Sequence, residues 1–155
     1  MIKLAHRGYS EKYPENTMIA FVEAIEGNFD GIETDVHLTK DNRLVLIHDE
    51  KINRTSNGKG YVKDLTYDEL CKYNFNYHFK EYKEKIPLLE ELLDYCKNRE
   101  TILNLEIKTN KILNILLPTM LPTAKSHLPF KEAVTEVTNS GNDVPNAITV
   151  SPINL

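Results

Sequence analysis

Two carboxylates, Glu33 and Asp35, are separated by one residue in a stretch that is predicted to be a β-strand. Side chains alternate along a strand, so both carboxylates point to one face, about 7 Å apart, and repel each other unless a cation or a proton lies between them. The other face carries Ile32, Thr34 and Val36 and suits packing against helices. The pattern therefore indicates a site on one face, although an exposed strand with a polar face would show the same alternation.

A second predicted strand, residues 101–108, has the same two-faced pattern. Glu106 and Lys108 lie on its polar face, whereas leucine and isoleucine fill the opposite face. A solvent-exposed edge strand would also show this pattern. The presence of two such strands in one chain favours a shared, inward-facing site.

Two histidines occupy the ends of two further predicted strands. His6 ends the strand 2–6 and is followed by Arg7, and His48 closes the apolar strand 44–49. A histidine at a strand end is also compatible with an ordinary loop residue whose ring is hydrogen bonded. The repeated pattern of an apolar strand ending in histidine indicates a common location, because the carboxyl ends of parallel strands in a barrel meet at one mouth, where catalysis takes place.

The carboxylates of Glu33, Asp35 and Glu106 form a set of hard oxygen ligands if these strand ends converge. Such a set suits Mg²⁺ or Ca²⁺. Zinc is less suitable, because the histidines are far apart in the sequence and no thiolate accompanies them. We therefore predict a divalent cation, Mg²⁺ or Ca²⁺, at these three residues.

The remaining charged groups favour an anionic substrate. Arg7 and Lys108 supply positive charge, and an arginine can hold two phosphate oxygens at once. His6 and His48 can act as general acid and general base near neutral pH. This combination describes phosphoester cleavage better than glycoside cleavage, in which two carboxylates would act alone and the basic residues would have no role.

The order of the predicted elements indicates an α/β fold with parallel strands. A helix capped by Asn16 or Thr17 and a helix over residues 88–98 alternate with the strands, and a last strand is predicted at 147–151. The segment 50–85 is less regular. It is interpreted either as a surface lobe that covers a pocket or as a solvated insertion.

The composition is that of an ordinary soluble protein. The chain has 155 residues, of which 41% are hydrophobic and 27% charged, with a net charge of −4, so we predict a single domain over residues 1–155 and no binding of nucleic acid. Cys71 and Cys96 fit the reduced thiols of a cytoplasmic protein. The N-terminus lacks the apolar core of a signal peptide, and the most apolar run, 112–121, is too short to span a membrane, although a weak contact with a membrane surface stays open.

The motifs of the chain, in their order, resemble those of the glycerophosphodiester phosphodiesterase family in its short bacterial form. Each motif alone is weak, but the ordered set is specific and covers residues 1–109, about two-thirds of the chain. The matching motifs are His6-Arg7-Gly8, Pro14-Glu15-Asn16-Thr17, Glu33-Thr34-Asp35-Val36, His48-Asp49, Arg54-Thr55, Gly58-Lys59-Gly60, Ile86-Pro87-Leu88-Leu89-Glu90-Glu91 and Asn104-Leu105-Glu106-Ile107-Lys108.

The resemblance implies a TIM-barrel hydrolase that cleaves glycerophosphodiesters, which are small-molecule substrates, to glycerol 3-phosphate and an alcohol. It also implies that residues 50–85 are the family's characteristic insertion. The roles that it implies for single residues are an acid–base pair of His6 and His48, a divalent-ion site of Glu33, Asp35 and Glu106, and a phosphate site of Arg7 and Lys108.

The chain is shorter than a complete TIM barrel, which has eight strands and about 250 residues. Residues 111–146 do not follow the family's helix pattern, so the expected fold is an incomplete barrel, about its first half plus the insertion, with 147–151 resembling the family's next strand. An open half barrel exposes a strand edge, and we expect the isolated chain to be poorly soluble, partly open or self-associating through it. Three hypotheses follow: an active metal-dependent phosphodiesterase, an inactive remnant of such an enzyme, and a metal- or anion-binding module.

Overall fold

The computed structural model of the chain describes residues 1–109, Ile112 and residues 147–150, the last of these by their backbone alone. The divergent segment predicted at 111–146 lies outside the described residues, apart from Ile112. In chain order the elements are β1 (Leu4–His6), α1 (Met18–Glu26), β2 (Gly31–Leu38), β3 (Leu44–Leu46), a 3₁₀ turn (Val62–Asp64), α2 (Tyr67–Leu70), α3 (Leu89–Cys96), β4 (Ile102–Ile107) and β5 (Ala147–Val150).

Parallel pairing of β1, β2 and β4 forms the part of the sheet that carries the polar residues. β2 lies between β1 and β4, and both neighbours run parallel to it. The register places His6 opposite Glu33 and Asp35 opposite Glu106. The carboxyl ends of three strands therefore lie side by side, as the sequence predicts.

Two strands run antiparallel to their neighbours, which corrects the prediction that these strands are parallel. β3 pairs with β2 in a hairpin and ends at Leu46 rather than at Asp49. The few residues that connect the two strands cannot form a crossover, and Asn42 adopts φ of 60° in the turn between them. β5 pairs antiparallel with β4, so the prediction that it resembles the next parallel strand of a barrel is wrong.

Helices α1 and α3 cover the apolar face of the sheet. The Thr17 hydroxyl accepts a hydrogen bond from the Ala20 amide at 3.4 Å, so Thr17 rather than Asn16 caps α1. Phe21 of α1 and Leu92 of α3 are fully buried in the main core, and each stabilises the fold by about 1.5–3 kcal/mol. The strand residues in this core are Ala5, Ile32, Val36, Leu44, Leu46, Leu103, Leu105 and Ile107. Packing on this face leaves the polar residues of β2 and β4 on the other.

The predicted insertion at 50–85 shares a second apolar cluster with β3 and with the residues just before α3. The members of this second cluster are Val45, Ile47, Ile52, Val62, Leu70, Phe75, Ile86 and Leu88. α2 begins with a capping box, in which the Thr66 hydroxyl accepts from the Glu69 amide at 3.3 Å and the Glu69 carboxylate accepts from the Thr66 amide at 2.8 Å. Through the second cluster, residues 50–85 pack against β3 and the start of α3.

The outer edge of β1 is unpaired within the part of the chain that the structure describes. The strand begins at Leu4, later than predicted, and Ile2 and Leu4 are 67% and 37% exposed. The backbone groups of an unpaired edge are available for pairing with another strand. Self-association through this edge stays a prediction.

Candidate active site

Three carboxylates converge at the carboxyl ends of β2 and β4. One oxygen from each of Glu33, Asp35 and Glu106 lies within 4.8 Å of the other two. The side chain of Asp35 is 1% exposed, those of Glu33 and Glu106 17% and 30%. The structure therefore brings together the three residues that the sequence predicts as metal ligands, with the middle one buried and the outer two open to a small ion.

The spacing of these oxygens suits a hard divalent cation. Ca²⁺ binds oxygen at 2.3–2.6 Å, so two of its ligands lie at most about 5 Å apart, whereas the limit for Mg²⁺ with bonds of 2.0–2.1 Å is about 4.2 Å. The three oxygens, at 4.8 Å or less, meet the first limit as they stand.

The ammonium group of Lys108 lies among these carboxylates. Its Nζ is 2.9 Å from Asp35 Oδ1 and 2.6 Å from Glu106 Oε1. Burial would lower the pKa of Lys108, but the hydrogen bond that its ammonium donates to Glu106 and its ion pair with Asp35 outweigh burial and raise the pKa. Lys108 thus supplies part of the positive charge that the cluster needs, although Asp35 Oδ1 accepts no well-aligned hydrogen bond within the described residues.

Glu33 is less well compensated than Asp35. Its one ion pair in the described part of the chain is with His6 Nε2 at 3.8 Å. Burial, followed by repulsion from Asp35, raises the pKa of Glu33. For Asp35, burial acts in the same direction, but Lys108 and an amide donor overcome it and lower the pKa. A cation bound beside Glu33 would remove this imbalance.

Arg7 follows β1 in a sharp turn that directs it toward the carboxylates. Its φ is 58° and that of Gly8 is 76°, and a Cβ on Gly8 would lie 2.7 Å from the backbone of Ala20. The guanidinium donates to Glu15 Oε1 at 3.0 Å, and its Nε lies 3.8 Å from Asp35 Oδ2. The Nε–H is buried without a hydrogen-bond partner among the described residues, so a donor is available for an anion.

The two histidines reach the site from different elements. His6 ends β1, as predicted, and its side chain is 67% exposed. His48 lies in the loop after β3 rather than at a strand end, because β3 is a short hairpin strand. The Ile47 amide donates to the Asp35 carbonyl at 3.0 Å and attaches this loop to β2. His48 is close enough to Asp35 to contribute to the lowering of its pKa.

Asn16 contacts the carboxylate cluster, although the sequence predicts it as a possible helix cap and as part of a family motif, without a role at the site. With φ of 53°, it turns its side chain toward β2 instead. Its amide donates to Asp35 Oδ2 at 3.2 Å and accepts from the Thr34 hydroxyl at 2.7 Å. The motif Pro14–Thr17 could have indicated this role, because one polar residue is enough to cap the helix and the second, adjacent one is then free for another function.

A chain of ion pairs outside the carboxylate cluster was also missed. Arg54 donates to Asp49 at 2.8 and 3.0 Å and to Glu15 at 2.7 and 2.9 Å. Asp49 Oδ1 in turn lies 2.7 Å from His48 Nδ1, and the His48 carbonyl lies 3.1 Å from His37 Nε2. The sequence shows Asp49 and Arg54 as motif residues but gives no sign that they meet Glu15.

The ionised carboxylate of Asp49 is expected to stabilise the fold, and this contribution is expected to decrease at acid pH. Hydrogen bonds from Arg54 lower the pKa of Asp49 from 3.8 to about 2, so its contribution is present above pH 4 and is lost as the pH falls toward 2. Because this carboxylate is partly solvated, we expect Asp49→Asn to lower the free energy of unfolding by only about 1 kcal/mol at pH 7. Urea unfolding at pH 7 and pH 3 measures the effect, which should shrink at pH 3. The surface variant Asp94→Asn is the control, and an equal loss at both pH values would contradict the expectation.

Comparison with known proteins identifies the family of the chain. Residues 6–135 match the model of the glycerophosphoryl diester phosphodiesterase family. The chain belongs to this family. A glycerophosphodiester phosphodiesterase from Bacillus altitudinis is 52% identical over 109 residues, which are 68% of this chain and 44% of the relative. Another from Caldanaerobacter subterraneus subsp. tengcongensis is 43% identical over 133 residues, which are 84% of this chain and 55% of the relative.

Solved structures of glycerophosphodiester phosphodiesterases share the fold. The enzyme from Agrobacterium tumefaciens superposes with a TM-score of 0.70 at 30% identity, covering 78% of this chain and 53% of that protein. A phosphodiesterase from Oleispira antarctica in complex with the product sn-glycerol-3-phosphate gives a TM-score of 0.71 at 30% identity, covering 83% of this chain and 53% of that protein. These matches confirm the predicted α/β, TIM-barrel-like fold in partial form.

The chain spans about half the length of the family members that it matches. The matched half contains all of the predicted site residues, since they lie between positions 6 and 108. Among the residues that the structure describes, no helix has the length and apolar character needed to cross a membrane.

Proposed function

We propose that the chain hydrolyses glycerophosphodiesters to sn-glycerol 3-phosphate and an alcohol, with Mg²⁺ or Ca²⁺ as a cofactor. The main support is one observation: the oxygens of Glu33, Asp35 and Glu106 lie within 4.8 Å of one another, beside basic and imidazole side chains. The Oleispira antarctica neighbour is described with sn-glycerol-3-phosphate as its product, a ligand whose phosphate suits this charge arrangement.

The phosphate group would be bound between the cation and two basic residues. Arg7 offers its buried Nε–H, and Lys108 can turn its ammonium from the carboxylates toward a phosphate oxygen once an ion neutralises them. A bound divalent cation acts as a Lewis acid that stabilises negative charge on the phosphoryl oxygens. The ligands for it are Glu33, Asp35 and Glu106.

His6 and His48 would transfer the protons. One ring removes a proton from the attacking oxygen as the new bond to phosphorus forms, and the other donates a proton to the alcohol oxygen as its bond to phosphorus breaks. The contact of His48 Nδ1 with the Asp49 carboxylate at 2.7 Å favours the tautomer with a proton on Nδ1. That tautomer leaves His48 Nε2 able to accept a proton.

A binding module without turnover is the second candidate function. The unpaired edge of β1 and the 37% exposure of Leu4 show that the described residues leave one side of the sheet uncovered. If that side stays open, the site would hold the cation and the phosphate without enclosing the rest of the substrate. Pairing of the β1 edge with a second copy would cover it, and the active form would then be an oligomer.

The test is release of sn-glycerol 3-phosphate from glycerophosphocholine by the purified chain, with Mg²⁺, with Ca²⁺ and with a chelator. We expect turnover that requires the ion and falls by about 10²- to 10⁴-fold in His48→Ala, which removes one proton-transfer group. His78→Ala, in the insertion, is the matched control and should retain activity. Ion-independent release, or none in any oligomeric form, would reject the hydrolase. Cation binding without release of sn-glycerol 3-phosphate would support the second candidate function, a binding module without turnover.

A further inference from the structure

Arg54 connects the two sides of the candidate site. We propose that Arg54 is a positioning residue, which fixes the ring of His48 through Asp49 and the guanidinium of Arg7 through Glu15. This inference rests on the proposed function, because it assigns Arg54 a role in orienting the groups that would transfer protons and bind phosphate. Arg54 itself contacts neither of those two side chains directly.

The first arm of this arrangement runs to the imidazole. Arg54 Nε and one terminal nitrogen donate to the two oxygens of Asp49 at 2.8 and 3.0 Å, which fixes the plane of the carboxylate. Asp49 Oδ1 is then held 2.7 Å from His48 Nδ1. A carboxylate that stays ionised can only accept a hydrogen bond, so the Nδ1 position must carry the proton.

The second arm runs to the phosphate-binding guanidinium. The two terminal nitrogens of Arg54 donate to Glu15 at 2.7 and 2.9 Å, and Glu15 Oε1 also accepts from Arg7 at 3.0 Å. The side chain of Glu15 is only 8% exposed, so its charge requires these partners. Because Arg54 takes both Glu15 oxygens, Arg7 keeps a single contact with Glu15 and retains donors for an anion.

Arginine is the one residue type that can make all of these contacts. A guanidinium has five N–H donors in a fixed plane, and Arg54 makes four hydrogen bonds with them to two carboxylates at once. The ring of Tyr77 lies 4.9 Å from its central carbon and limits its orientation. Arg54 and Tyr77 both belong to the insertion at 50–85, which thereby contributes directly to the geometry of the site.

The test compares Arg54→Gln and Arg54→Lys with Arg43→Gln. Arg43 is a suitable control, because it also pairs with a carboxylate, Glu90 at 3.4 Å, and lies 5.7 Å from a tyrosine ring, but on the surface. Long-range nitrogen–proton NMR spectra would report the tautomer of His48, titration would give the affinity for inorganic phosphate, and steady-state kinetics would give kcat and KM for glycerophosphocholine.

We expect Arg54→Gln to give a mixture of His48 tautomers, to weaken phosphate binding several-fold and to lower kcat by about 10- to 100-fold with a smaller change in KM. Arg54→Lys keeps the positive charge but loses the planar set of donors, so its phosphate affinity and kcat should lie between those of Arg54→Gln and the wild type. Arg43→Gln should match the wild type. Circular dichroism shows whether each variant is folded. If Arg54→Gln is unfolded, the comparison of Arg54→Lys with the wild type tests the proposal. If the wild type shows no turnover, the proposed function fails, whereas the NMR and phosphate results still test the positioning role. Unchanged His48 signals and phosphate affinity in both Arg54 variants would overturn it.

Discussion

Replacing Glu106 by glutamine is expected to weaken the binding of Mg²⁺ or Ca²⁺ by at least about 100-fold and to abolish turnover. The substitution keeps the shape of the side chain and removes one of the three carboxylate charges of the cluster. Calorimetric titration of each ion into the variant and the wild type measures the affinity. Glu106 is 30% exposed and lies at the end of a strand whose packing face is elsewhere, so the fold should persist.

The control for this experiment is Glu90→Gln, which removes a surface carboxylate of α3 that pairs with Arg43. It should bind the ion as the wild type does. A general loss of negative charge would weaken both variants alike, whereas loss of a ligand affects Glu106→Gln alone. Equal affinities of Glu106→Gln and the wild type would contradict the assignment of Glu106 as a ligand.

Replacing Lys108 by methionine is expected to separate cation binding from turnover. Lys108 Nζ lies 2.9 Å from Asp35 and 2.6 Å from Glu106, so in the ion-free chain it competes with the cation for two of the ligands. Its removal should leave the affinity for Ca²⁺ unchanged or higher. Turnover should nevertheless fall by about 10²- to 10³-fold, since a charge on the transferring phosphoryl group is no longer stabilised.

Lys85→Met is the matched control for Lys108→Met. Lys85 also pairs with a carboxylate, that of Glu91, but this pair lies outside the carboxylate cluster. Calcium titration and the glycerophosphocholine assay on the same preparations give both quantities. A fall in calcium affinity as large as the fall in turnover would show that Lys108 supports the ion site instead of competing for it, which would contradict the account.

The carboxylate cluster could be predicted because it depends on local geometry. Alternation along β2 places Glu33 and Asp35 on one face, and the buried residues Ile32 and Val36 confirm which face packs inward. Parallel pairing then brings Glu106 beside Asp35. Two simple regularities, the period of a strand and the common direction of parallel strands, were sufficient for this part of the site.

The parts that were not predicted depend on turn geometry and on tertiary contacts. The apolar run that begins at Leu44 has the same composition in a hairpin as in a parallel strand, and the signal for the hairpin was its connection to β2, which is too short for a crossover. The meeting of Arg54 with Glu15 joins residues 39 positions apart, and no local period encodes it. The sequence left Asn16 and Thr17 as alternative caps, because capping residues and polar site residues are of the same types.

The chain matches about half of the family's barrel, and this half contains the candidate site. The matched half of the family fold contains the three carboxylates, both histidines and both basic residues, while β1 keeps an unpaired edge within the described residues. The proposed ion and phosphate sites consist of these residues alone. The proposed turnover would also require the substrate to be enclosed, so binding and turnover are best measured separately.

Anomalous diffraction from crystals grown with Mn²⁺, which prefers the same oxygen ligands, tests the central claim most directly. The account predicts one strong peak bonded to carboxylate oxygens of Glu33, Asp35 and Glu106, with the ammonium of Lys108 displaced from its position between Asp35 and Glu106. A peak at other residues only, or Lys108 still in place with no ion among the three carboxylates, would contradict it.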